Sequence, residues 1–506
     1  MTSIYDHGPP LPCPAPFNMA QYVLSLAPSL GSKTALSILH NAGPDDWSFS
    51  RFEAAVRGTA TGLLQLGLRP DDRILMRLGN TVEFPILFLA AITAGLIPVP
   101  TSAQLTTAEI QAICDEIKPA LIVAGNGVAL PSHSPCPILD AEEIHTYHIL
   151  PAAFYTEGDP NRLAYIIYTS GTSGKPRAVC HAHRAIWARR MMFKGWYGLT
   201  AHDRMMHAGA FNWTYTLGTG LMDPISIGAT ALIPGAEITT RDLPALIADH
   251  KASIFAAAPG VYRQLLKHPI PPLPDLRHGL SAGEKLPQSI RQSWNETTGK
   301  MIFEAYGMSE CSTFISGNPD HPAPKGTSGY PQQGRRVAVL DENGAPVPFG
   351  NAGTLAVHKS DQGLMLGYLG APKETMAKFI GDWFLTGDTC KMAKGGAITY
   401  LGRFDDMMNA GGYRVSPLEV EAVFAGFPDI HEIAVTEVTV KTDTTVIAAF
   451  YTSDCPLDDA RLLDYAKDRL ARYKTPRLFC RVTALPKGAN GKLLRRRLRE
   501  VYEKQT

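Results

Sequence analysis

Between positions 168 and 176, a run of threonine, serine and glycine residues ends in a lysine. Residues of these types can bind an anion. Glycine lets backbone amides approach an anion closely, hydroxyl groups donate further hydrogen bonds, and lysine adds positive charge. The residues that could hold nucleotide phosphates in this way are Thr169, Ser170, Gly171, Thr172, Ser173, Gly174 and Lys175. The run is not a Walker loop, since Thr169 and Pro176 replace the required glycine and hydroxyl residue. An ordinary surface loop is the alternative.

The loop resembles the signature of the acyl-adenylate-forming superfamily, which includes acyl-CoA synthetases, peptide-synthetase adenylation domains and luciferases. That signature reads Tyr/Phe-Thr-Ser-Gly-Thr-Thr/Ser-Gly-x-Pro-Lys-Gly, and this chain departs from it only at Arg177 and Ala178. Arg177 keeps the positive charge of the replaced lysine, so we expect the departure to do little harm. The resemblance implies an enzyme that activates a carboxylic acid as an acyl-adenylate, with ATP and Mg²⁺.

Further segments are similar to motifs of this superfamily and follow in the superfamily's order. They are residues 283–285, 306–310, 383–388, 402–406 and 486–492. The resemblance implies that Gly283, Glu284 and Lys285 pack on the adenine, and that Tyr306, followed by Gly307, stacks on it. Together with the loop, these motifs cover the middle and the end of the chain, and the first third fits as well.

The same resemblance assigns the residues that act on phosphates, ribose and the reacting carboxylate. It implies that Ser309 meets a phosphate, that Glu310 binds Mg²⁺, and that Asp388 holds the ribose hydroxyls. Arg403 is also expected at the nucleotide. A lone carboxylate is more often a surface group or a helix cap, but the ordered set of motifs favours the catalytic interpretation. A degenerate member that only binds or scaffolds is the non-enzymatic alternative.

The second half-reaction is expected to use a different arrangement of the C-terminal domain. The resemblance implies that this domain rotates about Asp405, that Lys492 is the mobile catalytic residue of adenylation, and that Gly412 lines a tunnel for pantetheine. No carrier domain follows Lys492 in this sequence. We therefore expect coenzyme A as the acyl acceptor, and a stand-alone aryl-acid adenylation enzyme that loads a carrier protein is the alternative.

Three segments of the chain form the acid pocket in the superfamily. The matching segments predict where the pocket lies in this chain. The predicted pocket residues are Phe211, Asn212, Trp213, Tyr215, Ala258, Ala282, Met308 and Thr313. Asn212 stands where amino-acid-activating relatives carry an aspartate, so a buried ammonium group would lack a partner and an α-amino acid is disfavoured. Aromatic side chains suit a flat ring, although such residues also pack in cores.

Residues 412–421 look most like the corresponding segment of benzoate–CoA ligases. The resemblance therefore favours a benzoate-type acid, and a medium-chain or alicyclic acid is the alternative. The expected partners are the acid, ATP and coenzyme A. We expect a monomer or homodimer.

Length and composition limit the other possibilities. A chain of 506 residues should hold two or three domains. The chain has 48 Lys and Arg residues against 47 Asp and Glu residues. It therefore has no broad positive electrostatic field that would attract nucleic acid. The longest apolar stretch, residues 85–100, is shorter than a spanning helix, and the first residues lack a signal-peptide pattern. A cytoplasmic protein without a membrane span is expected.

Apolar strands followed by amphipathic helices recur along the first 330 residues, which predicts parallel sheets and an α/β fold. Helices are predicted at 107–116 and 183–192 and, further along the chain, at 417–425. The predicted large N-terminal domain, residues 1–402, has two α/β subdomains and a small β-rich subdomain at roughly 330–402. A small mobile α+β domain, residues 403–506, is expected to follow. Residues 492–499 carry four Arg and one Lys, and a solvated helix face explains them better than a nucleic-acid site.

Overall fold

The computed structural model describes most of the chain. Outside it lie residues 1, 7, 170–175, 411–412, 442–443, 468, 471, 473, 489–492 and 506, and the side chains of residues 405, 409–410, 413–414, 441, 444 and 504–505. The chain separates into a larger unit, Tyr5–Arg336 with His358–Asp382, and a smaller unit, Met1–Ile4, Val337–Val357 and Trp383–Thr506. The bounds 1–402 and 403–506 remain a prediction.

A mixed sheet forms the centre of the larger unit. Its nine strands are, in spatial order, Tyr330–Pro331, Ser312–Ser316, Ile302–Met308, His278–Ser281, Ile254–Ala256, Arg204–His207, Thr230–Pro234, Thr34–His40 and Gly43–Ser48. The strands from Ile302–Met308 to Thr34–His40 run parallel, because helices carry the chain back between them. Those crossover helices include Leu243–Asp249, Pro259–Leu265 and Gln288–Thr298.

A second parallel sheet packs beneath the helices of the first third of the chain. Its strands are, in spatial order, Ile97–Pro100, Arg73–Arg77, Leu121–Ala124 and Ile138–Asp140. The helix Glu83–Thr93 is buried along nearly its whole length, as its continuous apolar sequence requires. The helix Thr107–Ile117 begins at a capping box formed by Thr106 and Glu109. The α/β class predicted from the sequence is confirmed.

A third sheet of the larger unit is antiparallel and carries the glycine-rich loop. Its strands are, in spatial order, Gly367–Tyr368, Arg177–Ala182 and Leu163–Thr169. The sequence does not predict the strand Arg177–Ala182. The helix expected from His183 to Met192 is broken into Arg184–Ala188, Arg190–Met192 and a π-helix, Phe193–Tyr197.

The remaining helices of the larger unit are short, apart from one in the first third. They are Met19–Leu24, Ala27–Leu30, Phe49–Gln65, Asp223–Ile227, Pro372–Met376, the π-helix Thr216–Met222 and the 3₁₀ helix Ala141–Tyr147. Short strands Ile4–Asp6 and Phe379–Ile380 complete the order of elements. No helix in the described residues is both long and apolar enough to span a membrane.

The smaller unit is built from mostly antiparallel strands and three helices, and its strands Thr444–Thr452 and Leu478–Arg481 pair in parallel. Its strands are Arg336–Leu340, Ala352–His358, Trp383–Met392, Ile398–Arg403, Met408–Ala410, Tyr413–Val415, Glu432–Lys441, Thr444–Thr452 and Leu478–Arg481. Its helices are Pro417–Phe424, Asp459–Lys467 and Arg495–Gln505, with a 3₁₀ turn at Phe404–Asp406.

The basic tail differs from the expected solvated face at one position. Arg495 is 14% exposed and its Nη2 lies 2.7 Å from Glu421 Oε2, so it anchors the last helix inside the smaller unit. The neighbouring Arg496 is 76% exposed and fits the expectation.

Candidate active site

The carboxyl ends of the parallel strands form one edge of the central sheet. His207, Ala256 and Leu280 lie side by side in the strand register, followed by Ser281 against Glu304. Ligands of open parallel sheets bind beyond this edge, because the helices that follow leave a crevice there. The predicted residues Ala258, Ala282 and Met308 stand at or just after these strand ends. The fold therefore brings them to one side of the sheet.

Glu310, the predicted magnesium ligand, lies in the turn between the strands Ile302–Met308 and Ser312–Ser316. The Tyr368 hydroxyl donates a 2.8 Å hydrogen bond to Glu310 Oε1. Burial and the neighbouring carboxylate raise the pKa of Tyr368, which keeps the phenol protonated as a donor. The second carboxylate oxygen, Oε2, has no partner among the described residues.

Tyr368 is itself held by the strand that follows the glycine loop. The guanidinium of Arg177 lies 4.9 Å from the centre of the Tyr368 ring and also forms a 3.1 Å ion pair with Glu374. Arg177, the position where the chain departs from the superfamily signature, thus helps to fix the phenol that orients Glu310.

A close backbone approach shapes the turn that carries Ser309 and Glu310. A β-carbon on Gly307 would lie 2.3 Å from the Ser312 carbonyl oxygen and 2.4 Å from Thr313 Cα, so only glycine fits. A register shift follows Tyr306 in the same strand pair. Ser312 adopts a φ of 63°, a left-handed conformation that is rare for serine. The turn is therefore a strained segment at the predicted phosphate site.

The glycine loop joins two paired strands. Thr169 pairs with Arg177 at the end of the hairpin, so both ends of the loop are fixed opposite each other. The Tyr168 hydroxyl donates a 2.7 Å bond to Glu116 Oε2, which ties the first strand to a neighbouring helix. The predicted residues Ser170, Gly171, Thr172, Ser173, Gly174 and Lys175 lie outside the described residues. Their part in phosphate binding stays a prediction.

The residues predicted around the adenine lie on two adjacent strand ends. Gly283 follows His278–Ser281 with a φ of 99° that favours glycine, and Glu284 and Lys285 come next. Tyr306, on the neighbouring strand, packs edge-on against Phe314 with ring centres 5.4 Å apart. Since these strands are neighbours in the sheet, the two predicted adenine segments belong to one surface.

Asp388 and Arg403 meet in the smaller unit. They are paired in the register of two antiparallel strands, and Arg403 Nη1 lies 3.3 Å from Asp388 Oδ1. Asp388 is 4% exposed, so its carboxylate is largely shielded from water. The positive charge of Arg403 compensates the negative charge of this buried carboxylate. The pairing of the two predicted nucleotide residues follows from the strand register.

The predicted residues of the second half-reaction are the least described. Lys492 and Gly412 lie outside the described residues, and of Asp405 only the backbone is described, in the turn Phe404–Asp406. Their roles stay predictions.

The predicted acid pocket divides into packed and partly open side chains. Phe211 is 1% exposed and stacks on Phe84 at 5.1 Å, so its ring is committed to the core. Asn212 and Trp213 are half-buried, and Thr313 donates a 2.9 Å hydrogen bond to Met192 Sδ. Their place in the pocket stays a prediction.

Tyr215, another residue of this predicted pocket, has a buried hydroxyl group. Its ring lies 5.8 Å from Trp196 and 4.3 Å from His207. Within the described chain, the buried Tyr215 hydroxyl and both buried ring nitrogens of His207 have no hydrogen-bond partner. Burial lowers the pKa of His207 to about 3, so this imidazole is neutral.

Two interacting pairs of residues near the site were not predicted from the sequence. Tyr368 is 58 positions from its partner Glu310, and Arg189 is 34 positions from its partner Asp223. No local pattern marks residues that meet only after folding. The one available signal was the Arg177 departure, which lies beside Tyr368.

Comparison with known proteins places this chain in a family. The sequence profile of the AMP-binding enzymes matches residues 28–369, and that of the AMP-binding enzyme C-terminal domain matches residues 419–492. The chain belongs to the AMP-binding enzyme family. The enzyme class predicted from the motifs is thereby confirmed.

The relatives of this AMP-binding enzyme include several aromatic acid ligases. Benzoate–CoA ligase of Thauera aromatica is 28% identical, over 98% of this chain and 99% of its own length. The 4-hydroxybenzoate–CoA/benzoate–CoA ligase of Rhodopseudomonas palustris is 29% identical, over 90% and 89%. The benzoate CoA ligase structure from Burkholderia xenovorans LB400 matches with a TM-score of 0.85 at 29% identity, over 96% of this chain and 100% of that one. The predicted likeness to benzoate–CoA ligases is confirmed.

Proposed function

We propose that this AMP-binding enzyme is an ATP-dependent ligase that joins an aromatic, benzoate-type acid to coenzyme A. The acid and ATP give an acyl-adenylate and pyrophosphate, and the thiol then releases AMP. The observation that carries the proposal is the oriented Glu310 carboxylate, held by Tyr368 at 2.8 Å in a strained turn beside Ser309. Full-length similarity to aromatic acid–CoA ligases supports the substrate class.

Adenylation brings together two anions, so its barrier is largely electrostatic and positional. The acid is already ionised at neutral pH, and no general base is needed. Arg177 and the loop that follows Thr169 supply positive charge and amide donors for the triphosphate. We assign Lys492 to the acid carboxylate and the α-phosphate, where negative charge is concentrated during attack.

The residues around Glu310 are compatible with Mg²⁺. This ion is usually held by one or two carboxylates together with substrate phosphates and waters, not by an all-protein cage. Glu310 offers one carboxylate oxygen besides the one that Tyr368 occupies. No cluster of three or more metal-ligating side chains occurs among the described residues, which agrees with a site completed by the nucleotide. When bound there, Mg²⁺ would offset the phosphate charge.

The residues near the strand ends favour a flat acid over a medium-chain or alicyclic one. Ala256, Ala282 and Ala305 are small residues in the same core cluster, and Tyr215 packs at its border. An aromatic ring such as that of Tyr215 can stack on a flat substrate ring. A medium-chain or alicyclic acid would lose this stacking.

Coenzyme A is the proposed acceptor, because the named relatives that cover nearly the whole chain are CoA ligases. The alternative, a stand-alone aryl-acid adenylation enzyme, would transfer the acyl group to a carrier protein instead. A cytoplasmic location and a monomeric or dimeric state stay predictions.

A substrate panel tests the proposal. Pyrophosphate release is measured with benzoates, cyclohexanecarboxylate and medium-chain acids, each with coenzyme A, with a phosphopantetheinylated carrier protein, or with neither. We expect the largest kcat/KM with a benzoate and coenzyme A. Turnover with the carrier protein alone would overturn the acceptor, and a better aliphatic substrate would overturn the acid class.

Lys492→Ala tests the division of labour between the two half-reactions. We expect adenylation to fall by about a hundredfold or more, as when a group that stabilises transition-state charge is removed. Thioester formation from a supplied acyl-adenylate should change far less. Lys394→Ala, at an exposed turn, is the control. Equal loss of both steps would contradict the assignment of Lys492 to adenylation alone.

A further inference from the structure

Arg189 is the centre of a buried polar cluster near the turn of Ser309 and Glu310. Its side chain is 7% exposed, and its Nη2 lies 2.7 Å from Asp223 Oδ2, with Nε 2.9 Å from Oδ1. Nη2 also donates to the hydroxyls of Tyr197 and Thr219 at 3.0 and 3.1 Å. The charge of Arg189 is therefore balanced by Asp223, and its direction is fixed.

Two irregular helices build this cluster. Tyr197 belongs to the π-helix Phe193–Tyr197, and Thr219 belongs to the π-helix Thr216–Met222. A β-carbon on Gly218 would lie 2.1 Å from the guanidinium carbon of Arg189, so glycine is required for this contact. Single π-turns recur at functional sites, where they redirect side chains. Here they direct donors and acceptors at one guanidinium group.

A small cavity lies against Arg189. Its volume of about 20 Å³ is enough for one water-sized group. Polar residues in its wall include Arg189, His181, Thr214, Ser309 and Ser312. A water-sized polar group in a buried cavity needs polar partners of this kind.

The wall presents both a donor and an acceptor. Arg189 Nη1 carries two hydrogens and donates one of them to Ser312 Oγ. His181 is 3% exposed, no side chain within the residues that the structure covers hydrogen-bonds its ring nitrogens, and the Ser309 backbone lies beside the ring. Burial lowers the pKa of His181 to about 4, so the ring is neutral and keeps one acceptor nitrogen.

Three residues of the cavity wall are predicted site residues or adjoin them in the sequence. Ser309 is the predicted phosphate contact, Thr214 stands between Trp213 and Tyr215, and Ser312 directly precedes Thr313. Ser312 also holds the left-handed φ of 63° while it accepts from Arg189. Strain of this kind persists only where neighbouring contacts impose it.

We infer that this cavity receives a single hydroxyl group carried by the aromatic acid, and that Arg189, His181 and Ser312 determine this specificity. The inference rests on the proposed function. A hydroxyl oxygen accepts from Arg189 or Ser312 while its hydrogen is donated to His181, whereas an aromatic amine is a poor acceptor. A carboxylate substituent is too large for a water-sized space and meets an arginine that Asp223 already neutralises.

The test compares kcat/KM for benzoate with the three hydroxybenzoates, the matching fluorobenzoates and the aminobenzoates. Fluorine fills the space but cannot donate, so it isolates the hydrogen bond from the volume. We expect one hydroxy isomer to exceed benzoate and its fluoro analogue by about tenfold or more.

Two variants then assign the preference to the cavity. His181→Phe keeps a flat ring against Tyr165, and Ser312→Gly tolerates the positive φ. Each should lower kcat/KM for the preferred hydroxy acid about tenfold more than for benzoate. Thermal unfolding identifies a variant that does not fold, and the other variant then decides.

The outcomes separate the two proposals. Equal use of benzoate and all hydroxybenzoates by the unmodified enzyme, or a preference that survives both variants, would overturn the hydroxyl site and leave the ligase proposal intact. An equal loss for both acids would mean that these residues are structural. The absence of turnover with any aromatic acid would overturn the proposed function itself.

Discussion

Glu310 and Tyr368 define the site at the scale of single residues. Tyr368→Phe removes the hydroxyl that donates to Glu310 at 2.8 Å but keeps the ring beneath Arg177. A hydrogen bond to a charged group contributes about 1.5–3 kcal/mol, so we expect kcat/KM for ATP to fall about tenfold to a hundredfold. Pyrophosphate release measured against Mg²⁺ concentration should show a higher requirement for the ion.

Tyr330→Phe is the matched control for this change. The Tyr330 ring stacks on His321 at 4.1 Å, and its hydroxyl makes no hydrogen bond in the part of the chain that the structure describes. We expect its activity to match the unmodified enzyme. If Tyr368→Phe behaves like Tyr330→Phe at every Mg²⁺ concentration, Tyr368 does not orient Glu310.

Site residues could be predicted where a sequence motif contains them. They could not be predicted where the partner residue comes close only after folding. Glu310, Asp388 and Arg403 were all named from their motifs, and the pairing of Asp388 with Arg403 then followed from strand register. Arg189 has no such motif. Its ion pair with Asp223 depends on helices that meet only in the folded chain.

Gly307 shows how one element, the strand before Glu310, depends on a single close approach. Gly307→Ala would place a methyl group 2.3 Å from the Ser312 carbonyl oxygen. Backbone atoms cannot move aside as a flexible side chain can, so we expect the free energy of unfolding to fall by about 2 kcal/mol. Activity should fall as well, because the turn with Ser309 and Glu310 must shift. Denaturant unfolding and pyrophosphate release measure the two effects.

Gly395→Ala controls for the loss of glycine itself. A β-carbon there meets nothing within 4 Å, so stability should change little. Unchanged stability and activity in Gly307→Ala would contradict the close approach in this strand pair.

Elements were predictable where hydrophobic periodicity is strong. The helix expected at 107–116 is Thr107–Ile117, and the helix expected at 417–425 is Pro417–Phe424. The strand Arg177–Ala182 was missed because its apolar residues are mostly small and Arg177 and His181 leave no clear apolar run or alternation. Its conformation is imposed by pairing with Leu163–Thr169 rather than by propensity.

The helix after His183 was predicted as continuous but is interrupted. Its breaks bring Arg189 and Tyr197 to the same carboxylate, Asp223. Tertiary contacts therefore override the local helical pattern, which a sequence pattern cannot reveal.

Buried histidines link the stability of the whole molecule to pH. Burial lowers the pKa of His183 from 6.5 to about 3, and its Nδ1 accepts a 3.0 Å bond from the Met19 amide. Between these two pKa values, the unfolded chain therefore binds a proton at His183 that the folded chain does not bind. The stabilisation is complete above the unfolded pKa and is lost as pH falls below it, by up to about 1.4 kcal/mol per pH unit and group.

Thermal unfolding between neutral and mildly acidic pH tests this linkage. We expect Tm to fall on acidification, and to fall less steeply in His183→Gln, which keeps an acceptor but does not titrate. His133→Gln, at an exposed position, should keep the slope of the unmodified protein. An identical slope in all three proteins would show that His183 is not held neutral.

The path of a carboxylate oxygen tests the central claim, which is that the enzyme activates the acid as an acyl-adenylate. Attack of the acid on the α-phosphate forms a bond between a carboxylate oxygen and phosphorus and releases pyrophosphate. When the thiol cleaves the adenylate, that oxygen leaves with AMP. With ¹⁸O-labelled benzoate, ATP, Mg²⁺ and coenzyme A, we predict benzoyl-CoA together with AMP that carries ¹⁸O. Label in inorganic phosphate with ADP as product, or unlabelled AMP, would contradict the account.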